Sequence, residues 1–188
     1  MNRSKSAEAI SGRATGALFF IGFGSLWLST GLSALQWLNS FSAAGVAIVA
    51  AVLVIPAVRL LRRAGKLAQA KAGSADKARA WRVFRVVNII QWTAILAAVI
   101  LLNIFHLPEF IVPAIATIVG FHLFPLARVF RYPVHYVTGT LLVLWSSGVV
   151  LAVPREKLPS LGALGTATIL LVSAAYTLTI AIRDARQY

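Results

Sequence analysis

The stretch FSAAGVAIVAAVLVIPAVRLLRR, residues 41–63, carries no charge for eighteen positions and then three arginines within five. A helix needs about 20 apolar residues to cross the hydrocarbon core of a bilayer, and this run supplies them without the polar face that a soluble amphipathic helix shows. Pro56 lies inside the run, where its ring removes one backbone hydrogen bond and bends a helix. Residues 41–60 therefore predict a transmembrane helix that leaves the membrane at Arg59, Arg62 and Arg63. Such arginines keep their stems in the apolar phase while the guanidinium reaches the headgroups.

Outward from this stretch the same pattern recurs. Apolar runs at 14–36, 84–105, 109–127, 134–153 and 161–182 bring the number of predicted spans to six. Asn39 and Ser40 separate the first two runs, and Pro133 and Pro154 interrupt later ones. Pro108 opens the fourth helix, at a position that needs no amide donor. The expectation is an all-α, polytopic membrane protein: one domain over residues 1–188, built of six helices as three out-and-back pairs. The basic segment before the first run (Arg3, Lys5, Arg13) raises a signal peptide as an alternative. The run is longer than the 7 to 15 residues of a signal core, and no clean small-x-small cleavage site follows it.

Composition agrees with lipid as the solvent. The chain is 59% hydrophobic and 12% charged, against about 45–50% and about 25% in soluble domains. A net charge of +13 would suit nucleic acid only if the basic residues shared one face of a soluble fold. Here they lie between apolar runs, so nucleic acid is excluded as a partner. With no cysteine there is no disulfide, thiolate metal site or cysteine nucleophile. No paired mid-membrane carboxylates and no clustered histidine motif are present, so the chain reads as neither an enzyme nor a metal or cofactor protein.

Charge orients the bundle. With the N-terminus cytoplasmic, sixteen of the eighteen Lys and Arg residues fall in inside segments, and only Arg155 and Lys157 fall outside. The positive-inside rule describes this asymmetry and places both termini in the cytoplasm. The segment 59–85, between the second and third spans, is rich in Ala, Lys and Arg, all good helix formers. Gly73 and Ser74 supply a stop and a new N-cap, which predicts a basic cytoplasmic helical hairpin.

The motif P-x-x-R-x-x-R occurs in IPAVRLLRR (55–63) and again in FPLARVFRY (124–132). Arg59, Arg62, Arg63, Arg128 and Arg131 are candidate contacts for anionic phospholipid or for a protein partner, because clustered basic residues beside a membrane attract acidic headgroups. Arg183 and Arg186 repeat the spacing without the proline, as helix-exit anchors do.

Polar residues at membrane depth are the other pointers, since each is costly there unless it finds a partner or water. Asn88, Gln91, Ile95, Ala98, Leu102 and His106 share one face of the third helix by the 100° step. His135, Thr138, Leu142 and Ser146 do so on the fifth. Asn88, Gln91, His122, His135 and Thr138 fall at one inner depth and form a candidate polar lining. His106 and Glu109, flanking the turn at Pro108, form a candidate outer pair for a cation or a proton. Glu109 also suits a helix N-terminus on electrostatic grounds alone.

The segments GSLWLSTGL (24–32), IPAVRLLRR (55–63) and LPEFIVPAIATIVGFHLFPLARVFRYPVHYVTG (107–139) together resemble a family of small bacterial membrane proteins of unknown function. The resemblance covers residues 12–150 and implies a six-helix bundle of the bacterial inner membrane. Two functional classes fit. One is a small transporter, channel-like or ligand-binding bundle, drawn from the polar stripes and intramembrane prolines. The other is a structural or accessory protein that meets anionic lipid, a protein partner or further copies of itself. A water-filled cavity joining the stripes of the third and fifth helices would separate them.

Overall fold

The computed structural model describes residues 3–68, 74–130 and 132–186, with side chains from Ala9 onward except in 65–80. Six helices follow in chain order: α1 (Arg3–Ala34), α2 (Ser40–Ala68), α3 (Ser74–Ile104), α4 (Ile111–Phe130), α5 (Val134–Ala152) and α6 (Leu158–Arg186). All six are long and apolar enough to cross a membrane. Short 3₁₀ turns at Pro108–Phe110 and Arg155–Lys157 precede α4 and α6.

The helix ends have local causes. Asn39 caps α2: its Oδ1 accepts the backbone N–H groups of Phe41 and Ser42 at 3.0 Å, while the Asn39 N–H donates to Ser42 Oγ at 2.9 Å. This reciprocal pair satisfies three amides at one helix end. α1 and α3 both stop on a left-handed residue, Gln36 (φ 59°) and His106 (φ 53°). In each case the next amide reaches back five residues, from Trp37 to Leu32 and from Leu107 to Leu102. That is a Schellman closure without its usual glycine.

Two boundaries differ from the sequence reading. α1 begins at Arg3 rather than near residue 14, because the polar segment ahead of the apolar run contains no proline and the helix continues through Gly12. Pro108 opens a 3₁₀ turn, and α4 proper starts at Ile111. α2 and α4 run through Pro56 and Pro125 without ending. α2 and α3 continue into the 59–85 segment as expected, but residues 69–73 and the side chains of 65–80, where the two arms would pack, lie outside the described residues.

The most extensive helix contact joins the first helix to the last. Its register is antiparallel: Arg13 meets Asp184, Gly24 abuts Leu171, and Gly31 abuts Leu164. Ala14, Ala17 and Ile21 of α1 and Ala163, Ala167, Leu170 and Ala174 of α6 form the centre of the core. Small residues on both sides allow the close backbone approach that drives helix association in lipid. α2 packs on α1, α4 packs on both α3 and α5, and α5 packs on α6. The helices at either end of this arrangement, α2 and α3, expose rows of large apolar residues such as Ile48, Val52, Ile89, Trp92 and Leu96. Lipid is the solvent for such rows. Arg59, Arg62, Arg63, Arg82, Arg85, Arg128, Arg183 and Arg186 gather at one end of the bundle, and Arg155 and Lys157 stand at the other.

Candidate functional site

All seven buried polar side chains among the described residues belong to α5 and α6: His135, Thr138, Ser146, Ser160, Thr166, Ser173 and Thr177. On α5, His135, Thr138, Leu142 and Ser146 fall on one face by helical spacing, and that face is turned inward. The other polar face, Tyr136, Thr140 and Ser147, is turned outward.

At the arginine-rich end these residues make a seam between α1, α5 and α6. Arg13 of α1 forms an ion pair with Asp184 of α6, and its guanidinium stands 5.5 Å from the centre of the Tyr132 ring. The Tyr132 hydroxyl donates to Thr177 Oγ1 at 3.2 Å. Burial pushes the Tyr132 phenol above its ordinary value of 10.0, a rise that the Thr177 hydrogen bond and the Arg13 charge partly offset. The His135 ring meets Tyr132 and Phe20 edge-on, at centroid distances of 5.3 and 5.4 Å. It faces Gly16 of α1, where an added methyl group would be in ordinary contact, 3.7 Å from His135 Cε1. One turn further along, the Thr138 hydroxyl donates to the Val134 carbonyl at 2.9 Å and lies 2.8 Å from Ser173 Oγ. A hydroxyl has one hydrogen, so Ser173 is the donor in that second contact.

The five residues expected to line one space fall into two groups. His135 and Thr138 belong to this seam. Asn88, Gln91 and His122 belong to the α3–α4 contact, where all three are half-buried and His122 lies at the Val87 carbonyl of α3. Asn88 turns its amide onto its own helix, donating to the Phe84 carbonyl at 2.9 Å. The α3 stripe of Asn88, Gln91, Ile95, Ala98 and Leu102 is the half-buried side of a helix that packs on α4, and α4 stands between it and the α5 stripe.

At the opposite end, His106 is exposed at the end of α3. Glu109 is directed to Arg155 in the α5–α6 turn, 3.8 Å away, and that guanidinium also sits over the Phe110 ring at 5.6 Å. Of the basic candidates, Arg59, Arg62, Arg63 and Arg128 are exposed, and Arg131 lies outside the described residues.

Sequence reasoning missed Arg13, Tyr132, Ser173, Thr177 and Asp184. Arg13 counts among the orienting charges of the tail, and its role follows only from contact with α6. A usable signal is present nonetheless, because Asp184 is the one acidic residue of α6. Compared with family models, curated proteins and solved structures, the chain matches none.

Proposed function

We propose that the protein is a non-catalytic accessory bundle of the bacterial inner membrane that presents its arginine-bearing end to anionic lipid or a protein partner. The observation that carries this reading is the seam. Arg13 with Asp184, Tyr132 with Thr177, and Thr138 with Ser173 close on one another across helices, so these groups fasten the bundle instead of lining a path. The bacterial assignment rests on the family resemblance. The orientation, both termini cytoplasmic, rests on the excess of Lys and Arg at one end.

Proteoliposomes provide the test. With the full chain reconstituted, the accessory reading expects no protein-dependent flux of protons, ions or small solutes. His135→Gln should lower thermal stability and leave permeability at the lipid background. A protein-dependent flux that His122→Gln or His135→Gln alters would overturn the reading.

A second reading has one observation in its favour. Ser25 Oγ, His122 Nδ1, His135 Nδ1 and Thr166 Oγ1 are buried with no partner among the described residues, and buried water commonly satisfies such groups. On that reading the bundle is a small transporter or ligand-binding protein, with His135 and Thr138 in its lining. The same flux measurement separates the two.

A further inference from the structure

The α3–α4 pair carries a second chemistry-bearing group at the arginine end. Trp81 stacks on Phe84, with centroids 5.5 Å apart and planes 21° from parallel, and Phe84 meets Phe130 of α4 edge-on at 6.2 Å. The outer members of this aromatic shelf remain open, Trp81 at 61% and Phe130 at 49% exposure. By the 100° step Arg82 and Arg85 fall within about 100° of Trp81 on α3, and both are exposed. Neither is ion-paired to an acid among the described side chains. Arg128 of α4 lies about 200° round its helix from Phe130 and is turned away from the shelf. On the lipid side of the shelf, α3 continues as an exposed apolar face of Ile89, Trp92 and Leu96.

Each part matches a part of one kind of molecule. Arginine's planar fork of donors fits phosphate oxygens in pairs. Tryptophan settles at headgroup depth, and the apolar face beyond it suits acyl chains. Charge complementarity selects the headgroup, since a zwitterionic lipid brings its own cation to the two arginines and an anionic one does not. Arg59, Arg62 and Arg63 on α2 are as exposed, but no described aromatic pair stands with them. We infer that the Trp81–Phe84–Phe130 shelf, with Arg82 and Arg85, is a binding site for an anionic phospholipid held by its phosphate. The inference deepens the accessory reading above by naming the lipid class and its seat.

Trp81 reports on the site directly. The full chain in phosphatidylcholine nanodiscs is titrated with brominated phosphatidylglycerol or brominated phosphatidylcholine, and the Trp81 contribution is the fluorescence lost on Trp81→Phe. A basic residue near an anionic surface is worth up to about fivefold in affinity. Quenching by the anionic lipid is therefore expected at about tenfold lower mole fraction than by the zwitterionic one. The combined Arg82→Gln and Arg85→Gln variant should remove that preference. Arg59→Gln, Arg62→Gln and Arg63→Gln together should leave it, and inorganic phosphate should not compete. Equal quenching by the two lipids overturns the site, and this comparison needs no arginine variant to fold. Equal loss in both combined variants overturns it in favour of general surface charge, and displacement by phosphate in favour of a free-anion site. Proteoliposome flux reports on the accessory reading separately: flux with an intact preference overturns that reading alone, and a lost preference without flux overturns the site alone.

Discussion

Gln36 and His106 hold left-handed backbone that costs a residue with a Cβ about 1 kcal/mol relative to glycine. Gln36→Gly and His106→Gly should therefore leave thermal stability unchanged or raise it. The β-branched replacements Gln36→Val and His106→Val should lower it by about 1–2 kcal/mol. If glycine lowers stability as much as valine does, the left-handed closures are not what sets those helix ends. The Arg13–Asp184 pair is only partly buried, its side chains 25% and 39% exposed. Its loss should accordingly cost about 1–2 kcal/mol, below the range for fully buried pairs. A double-mutant cycle with Arg13→Gln and Asp184→Asn checks this, because additive effects would mean no coupling. Tyr132 gives the pair's neighbourhood a pH dependence. Because folding raises its pKa above the reference of 10.0, the stabilisation is complete below that reference and is lost as pH rises through the folded value. Tyr132→Phe should flatten the alkaline limb of a melting-temperature profile. An unchanged limb would remove Tyr132 from the account.

Glycines separate the helix contacts that need close approach from those that do not. A Cβ on Gly120 would stand 2.8 Å from the Gly139 carbonyl oxygen, and one on Gly139 would stand 2.6 Å from the Gly120 oxygen. Backbone cannot yield there. Gly120→Ala and Gly139→Ala should each destabilise the α4–α5 contact by about 1–3 kcal/mol, measured by unfolding in detergent. Gly45→Ala and Gly148→Ala meet nothing within 4 Å and should be neutral or favourable by up to about 1 kcal/mol from helix propensity. Equal costs at all four positions would refute close packing as the cause. The same contrast shows what was legible. A seven-residue spacing puts Ala17, Gly24 and Gly31 on one face of α1, and it is the face turned to α6. The stripe from Asn88 to His106 reads as one face of the third helix, and from Asn88 to Leu102 it is the side of α3 that rests against a neighbour. Helical period identifies which residues share a face and is silent about what that face meets.

At the scale of the whole molecule, hydropathy and punctuation were enough to locate six spans, since a membrane span is a local property of about 20 residues. The start of α1 was not legible in the same way, because a helix that has left the lipid no longer needs apolar residues. The Arg13–Asp184 seam was hidden for another reason: it joins residues 171 positions apart. The proposed orientation has a direct measurement. Reporters at Ser74 and after Tyr188 should read cytoplasm and one near Pro159 the opposite side, whereas an outside reading at Ser74 would reverse the bundle. The contact between the first helix and the last also bears on biosynthesis. Of the six helices described, α1 is made before the others, with the small-residue face of Ala14, Ala17, Gly24 and Gly31 uncovered, and its principal partner, α6, is made after the other four. During translation that face is open to lipid or to whatever insertion factor covers it. Helices one to five can be inserted without the core existing, and a ribosome that stalls before α6 leaves spans in the membrane for quality control to remove.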